Sequence, residues 1–113
     1  MKKLFRHGDV DGREITAIPK SAKPVQNKTI MYGEATGHHH TFNGQVLVFE
    51  PTENDSIEVD GEKRMIQKYI QVLKPAQLTH QEHKTETIPE GKYAILQEVE
   101  WDPLEQQIMR VRD

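Results

Sequence analysis

The sequence predicts an all-β fold: a small antiparallel sandwich or barrel with at most one short helix. Three observations carry that prediction. Six prolines (Pro19, Pro24, Pro51, Pro75, Pro89 and Pro103) are spread so that few windows are long enough for a helix. Three Asx-Gly pairs, Asp11-Gly12, Asn43-Gly44 and Asp60-Gly61, lie between segments of strand composition, and this dipeptide favours the φ > 0 conformations of tight hairpin turns. The intervening segments alternate with a period of 2 rather than 3.6.

In chain order, residues 14–18 form a weak strand candidate and residues 20–28 (Lys-Ser-Ala-Lys-Pro-Val-Gln-Asn-Lys) a polar loop expected to be mobile. Residues 29–42 are β-compatible, with Gly33 and Gly37 predicting a bend or bulge. Residues 45–50 read as a short strand that is apolar on both faces, residues 51–55 as a loop, and residues 56–59 as a strand entering the Asp60-Gly61 turn. Residues 62–73 admit two descriptions. Met65, Ile66, Tyr69, Ile70 and Leu73 fit a helical stripe. A strand instead puts Ile66, Ile70 and Val72 on one face and Met65, Tyr69 and Leu73 on the other. The recurring β-branched residues and the preceding turn favour the strand.

One helical turn is expected at residues 79–83, where Thr79 and Glu82 match a capping box. Over residues 93–101, Tyr93, Ile95, Val99 and Trp101 share a face, which makes Trp101 a core or interface residue. Asp102-Pro103-Leu104-Glu105 is a turn signal, and residues 107–111 are placed to return antiparallel. Glu98, Glu100, Asp102 and Glu105 make a solvated acidic end that Arg110 and Arg112 would offset across the hairpin.

With 113 residues the chain suits a single domain, 1–113. Fifteen Lys and Arg against eighteen Asp and Glu give a formal charge of -3, so no basic excess is present for general nucleic-acid binding. A hydrophobic content of 35% makes a lean core, and a homodimer that buries further surface is expected. The longest apolar run is Val46-Leu47-Val48-Phe49, and no apolar stretch follows the basic start Met1-Lys2-Lys3. No membrane span and no signal peptide are therefore expected, and a cytoplasmic location is the default. Cysteine is absent, which excludes disulfides, thiolate catalysis and Cys-based zinc sites.

Histidine carries the chemical content. Five of the six fall in two groups, Gly37-His38-His39-His40 and Thr79-His80-Gln81-Glu82-His83. On a strand, His38 and His40 share one face and His39 takes the other. On a helical turn, His80 and His83 are surface neighbours. If the two pairs meet, His38, His40, His80 and His83 make a four-nitrogen set suited to tetrahedral Zn²⁺, and three of them plus water would leave an open catalytic position. Ni²⁺, Cu²⁺ or Fe²⁺ would also accept such ligands in vitro. Glu34, Glu50 and Glu82 are candidate carboxylate ligands or supports, and Glu82 is the candidate for acid/base work with a histidine. The competing reading is a solvated three-histidine loop beside a turn. His39 alone reads as a packing or surface residue; His7-Gly8-Asp9 could add a third histidine to a site, but its N-terminal position favours a flexible segment. His80-Gln81-Glu82-His83 is one residue short of HExxH, and no GxSxG elbow, Walker loop or GxGxxG occurs.

Several segments carry a resemblance. They are Gly8-Asp9-Val10, Thr36-Gly37-His38-His39-His40, Leu78-Thr79-His80-Gln81-Glu82-His83, and Pro89-Glu90-Gly91-Lys92-Tyr93 before the final hairpin. Together they resemble a group of small uncharacterised bacterial and phage proteins, which implies an all-β domain without an assigned activity. His38-His39-His40 and Pro89-Glu90-Gly91 are also similar to the HxH strand and PxG turn of cupins. The chain lacks the cupin Glu after HxH and the His after PxG, so this second likeness implies only a β-scaffolded histidine site.

The leading expectation is a small soluble β-domain that binds a divalent metal through His38, His40, His80 and His83. Metal-activated hydrolysis would be its simplest reaction if the site is catalytic. The alternative is a non-enzymatic, phage-encoded interaction module that engages a host protein through a sheet edge or dimer face.

Overall fold

The computed structural model describes residues 4–32, 39–81, 83–97, 99–102 and 107–110. The strands in chain order are β1 (Leu4–His7), β2 (Val10–Glu14), β3 (Lys23–Val25), β4 (Thr29–Tyr32), β5 (His39–Asn43), β6 (Val46–Glu50) and β7 (Ser56–Val59). They continue with β8 (Glu62–Met65), β9 (Lys68–Val72), β10 (Ala76–Thr79), β11 (Glu86–Ile88), β12 (Gly91–Gln97), β13 (Val99–Asp102) and β14 (Gln107–Arg110). No helix occurs among the described residues. A six-stranded sheet in the order β1-β2-β12-β9-β6-β3 faces a four-stranded sheet in the order β11-β10-β5-β4, and β7-β8 and β13-β14 form two separate ribbons. Every pairing is antiparallel. The arrangement is an open sandwich rather than a closed barrel.

The alternation of side chains builds two cores. Val10, Val46, Val48, Ile70, Val72, Tyr93 and Ile95 of the six-stranded sheet meet Ile30, Phe42, Ala76, Leu78 and Ile88 of the smaller one. Burying side chains of this size stabilises the fold by roughly 1.5–3 kcal/mol each before entropy is counted. The opposite face of the large sheet carries Tyr69, Ala94 and Leu96, packed with Ala22 and Ile66 and covered by Ile15, Ile18, Phe49, Ile57 and Val59. The β7-β8 ribbon and the connection through residues 15–22 therefore act as a partial third layer. This is why β9 and β12 read as apolar on both faces.

The turns divide into local and tertiary cases. Asp60-Gly61 closes β7-β8 as predicted, with φ values of 51° and 81° and Val59 opposite Glu62. Asn43-Gly44 makes no hairpin. Gly44, at φ 120°, turns the chain from the four-stranded sheet into the six-stranded one. Asp11-Gly12 is not a turn at all, because both residues lie inside β2. Gly12 faces Phe5 across the ladder, and a Cβ there would run into the Phe5 ring, which itself packs edge-on to Tyr93 at 5.3 Å. The first hairpin instead turns over Gly8-Asp9, with His7 opposite Val10 and Gly8 at φ 62°.

Other boundaries also move. Strand structure ends at Glu14, so residues 15–18 cap the second core instead of extending a strand. The predicted loop 20–28 contains β3, an edge strand that pairs with β6 and tolerates Pro24 because an edge needs no further donor. Residues 62–73 are two strands broken at residues 66–67, which excludes the helical description. β13 and β14 pair with Asp102 opposite Gln107, as the last turn predicts. The predicted bend at Gly33 and Gly37 lies outside the described residues. So do the side-chain readings for Trp101, Glu98, Glu100, Asp102, Glu105, Arg110 and Arg112.

No helix among the described residues is long and apolar enough to cross a membrane.

Candidate functional site

One end of the sandwich gathers four histidines from three chain segments. His7 is the last residue of β1 and is 3% exposed. His40 is in β5, where His40 and Phe42 point inward while His39 and Thr41 are half-buried on the other face. His80 follows β10. That strand pairs with β5 through Thr79 opposite Thr41, so one further step in the same register sets His80 against His40. His83 sits three residues on, in a bend.

The rings are packed together. His40 lies 5.0 Å from His7, 4.4 Å from His80 and 6.0 Å from His83 between ring centroids. His7 is 6.3 Å from His80 and 5.7 Å from His83, and the last two are 4.5 Å apart.

Two hydrogen bonds orient the inner pair. His7 Nε2 donates to the Lys84 carbonyl at 2.6 Å, and His40 Nε2 donates to the fully buried Asp9 carboxylate at 3.2 Å. The remaining ring nitrogens, His7 Nδ1 and His40 Nδ1, face each other at 2.9 Å. Burial pushes the His7 imidazole below its ordinary pKa against the opposing pull of the Lys84 carbonyl, and the neighbouring His40 and His83 push the same way as burial. The outer pair is held differently. The His83 backbone N–H donates to His80 Nδ1 at a long 3.3 Å, and His80 Nε2 is buried. Gln81 fastens the bend to β5 by accepting from the His39 backbone N–H at 2.9 Å, and its amide lies 3.3 Å from the His39 ring.

Of the residues singled out from sequence, His40, His80 and His83 come together here, while His38, Glu34 and Glu82 lie outside the described residues. His39 faces away from the cluster, as alternation requires. Glu50 pairs with Lys68 across β6 and β9 rather than with a histidine. The predicted helical turn at 79–83 does not occur among the described residues. Thr79 ends β10, and its hydroxyl donates to the Thr41 carbonyl instead of capping a helix.

His7, read from sequence as part of a flexible segment, is a buried member of the cluster. The local signal that finds it is Gly8-Asp9, a two-residue Gly-Asp turn that makes the preceding residues a strand. Among the described residues, no group of three or more His, Asp or Glu side chains is placed to hold a metal ion.

A family model described as "Domain of unknown function (DUF8820)" matches residues 6–98, a span that holds all four clustered histidines and Asp9. Comparison with curated proteins and with solved structures gave no match.

Proposed function

We propose that this chain, which belongs to the DUF8820 family, binds one divalent cation of the zinc class at the cluster of His7, His40, His80 and His83. The observation that carries this reading is the 2.9 Å approach of His7 Nδ1 to His40 Nδ1, when both Nε2 atoms already donate elsewhere. Where both rings are neutral Nε2–H tautomers, these two nitrogens present lone pairs to each other. Only a cation between or beside them, a proton or a metal ion, makes that approach favourable. Burial opposes the proton at His7. Two nitrogens on one tetrahedral zinc stand roughly 3.3 Å apart, given bond lengths of about 2.0–2.1 Å, so a small spreading of the pair admits the ion. His80 and His83 would have to turn toward it to complete the ligand set, because no group of three or more described side chains is placed to hold an ion as the structure stands. The inner histidines are almost wholly buried, and a closed four-nitrogen site of this kind braces a fold rather than opening a position for substrate. Such an ion would tie the β1-β2 hairpin to the four-stranded sheet.

The test uses the untagged full chain, stripped of metal and then analysed for metal content and melting temperature. One equivalent of retained Zn²⁺ is expected. A stabilisation of about 2.7 kcal/mol is expected at a free concentration one hundred times Kd. His40→Ala/His83→Ala should abolish both. A His38→Ala variant decides whether His38 contributes a further ligand. No uptake and no change in melting temperature would sink the metal reading.

A second reading draws on the exposed edge of the six-stranded sheet. Leu4, on the edge strand β1, is 61% exposed, which favours an interaction module that adds a strand from a second copy or a host protein. Light scattering of the purified chain and of Leu4→Lys distinguishes a homodimer through this edge from a monomer.

A further inference from the structure

We infer that Asn43-Gly44 is a site of spontaneous backbone modification: the folded chain converts Asn43 to aspartate and isoaspartate through a succinimide, at the passage from β5 into β6. The Gly44 nitrogen attacks the Asn43 side-chain carbonyl carbon, and the new N–Cγ bond closes a five-membered imide. The Cγ–Nδ2 bond breaks. The side-chain nitrogen leaves as ammonia, carrying the proton lost from the Gly44 nitrogen. Water, the co-reactant, then opens the ring at either carbonyl. Opening at Cγ gives aspartate. Opening at the main-chain carbonyl gives isoaspartate, in which the main chain runs through Cβ and Cγ.

The fold leaves this pair open to that chemistry. Asn43 is the last residue of β5, and both it and Gly44 are exposed. Asn43 is opposite Gln77 of β10 on one side, whereas β4 on the other side begins at Thr29, opposite Thr41. The Phe42 N–H donates to the Lys28 carbonyl on the β4 side. Successive amides of a strand alternate in direction, so the Gly44 N–H is aimed to that same side, past the start of β4. The Gly44 carbonyl accepts from Lys28 Nζ at 2.6 Å and from the Val46 N–H at 3.1 Å, which holds the far side of the residue and leaves its nitrogen to the neighbouring side chain. Gly44 stands at φ 120° and has no Cβ to shield that nitrogen.

Other positions of related chemistry are placed differently. Asp11-Gly12 lies inside β2, where Asp11 is completely buried and Arg13 and Arg64 hold both of its carboxylate oxygens. Asp60-Gly61 is exposed at the β7-β8 turn, and a Cβ on Gly61 would meet nothing. Aspartate is nonetheless the slower electrophile, because its carboxylate must be protonated before an oxygen can leave. Asn27 is followed by a lysine, and its Oδ1 already accepts from the Thr29 N–H at 2.9 Å. Asn54 is followed by an aspartate. The fold therefore ranks the sites, with Asn43 first, Asp60 well behind it and Asp11 protected.

The products change the passage itself. A carboxylate at position 43 arises next to Gly44, against which Lys28 Nζ is already placed. Isoaspartate lengthens the main chain in a link where only Gly44 and Gln45 separate β5 from β6, and Gln45 is itself tied down by the Leu73 N–H.

The experiment follows the untagged full chain, incubated warm near pH 7.5 for several weeks, beside the same chain in denaturant. Samples are digested with trypsin, and the peptide spanning residues 29–63 is sequenced by electron-transfer fragmentation, which tells isoaspartate from aspartate at each position. The folded protein should accumulate both products at Asn43, with isoaspartate in excess. Conversion there should run about ten-fold faster than at Asn27 or Asn54, because only Asn43 has the unshielded glycine nitrogen beside it. Asn43→Gln keeps the amide but requires a larger ring, and should stop the change at this position. Conversion in denaturant but not in the folded chain overturns the inference, since the fold would then protect the pair. So does conversion at Asn43 no faster than at Asn54, or isoaspartate at Asp11 as fast as at Asn43. The wild-type time course carries the test if the variant does not fold.

Discussion

Two aspartates two residues apart, Asp9 and Asp11, are both completely buried, and the structure treats them in opposite ways. Asp11, inside β2, is matched within the chain. Arg13 reaches it with Nε and Nη2 at 2.9 and 3.1 Å, and Arg64 from the covering β7-β8 ribbon adds a contact at 3.2 Å. Those guanidiniums are charged at every physiological pH, so the carboxylate is neutralised whatever the solution holds. Asp9, in the preceding turn, faces His40 of the other sheet, and an imidazole carries positive charge only when something supplies it. A buried charge with permanent partners fastens layers together. A buried carboxylate set against an imidazole answers to the state of that ring instead.

The largest expected effect breaks the permanent side of that contrast. Asp11→Ala should cost about 3 kcal/mol, near the low end for breaking a buried pair because both arginines are partly exposed, as read by denaturant unfolding. Its zinc uptake should match wild type. His40→Ala should cost about 2 kcal/mol in the absence of metal, from a lost hydrogen bond and a cavity, and should also remove any stabilisation by Zn²⁺. Metal-dependent stability after either change at Asp11 but not at His40 would sharpen the distinction. Equal responses would erase it.

Gly12→Ala tests the packing that positions the shared hairpin. The added methyl meets Phe5, and a loss of roughly 1–3 kcal/mol by thermal unfolding is expected. Tyr69 offers a smaller, pH-gated probe on the Asp11 side of the sheet. Burial, followed by its hydrogen bond to Asp55, raises its phenol from 10.0 to about 12. A raised folded-state value means that its stabilisation is complete below pH 10 and is lost as pH climbs toward 12. Burial also raises the Tyr93 phenol, so absorbance titration should show two tyrosines ionising late, and Tyr69→Phe should remove one of those components at a cost of about 1 kcal/mol at neutral pH. Leu47→Lys, at a 46% exposed position remote from both aspartates, should change stability by no more than about 0.5 kcal/mol.

Legibility from sequence follows the range of the interaction that decides each feature. Asp60-Gly61 was readable because a two-residue turn is settled by its own backbone preferences. Asp11-Gly12 has the same composition yet lies in a strand, because Gly12 is required by the Phe5 ring across the ladder and no local rule contains that ring. Asn43-Gly44 marks a real change of direction, but whether it makes a hairpin or a passage between sheets depends on where β6 and β9 pair. The two faces of residues 93–96 were legible from alternation, and so was the inward His40 with outward His39. The meeting of His40 with His80 depended on the β5-β10 register, which the sequence does not contain. The burial of His7 follows from the Gly-Asp turn after it, a stronger local signal than nearness to a terminus.

The place of β2 has a consequence in time. Its neighbours are β1, separated from it by the two residues Gly8 and Asp9, and β12, where Glu14 pairs with Tyr93 and Val10 with Gln97. At a synthesis rate of about 5–20 residues per second, the first hairpin leaves the ribosome on the order of ten seconds before the strand that holds it in the sheet. During that interval it is a lone two-stranded ribbon, a unit with marginal stability in water. Lys84 and the two outer histidines are made late as well, so the four rings can assemble only once most of the protein exists. An ion captured there would arrive late in folding rather than at its beginning.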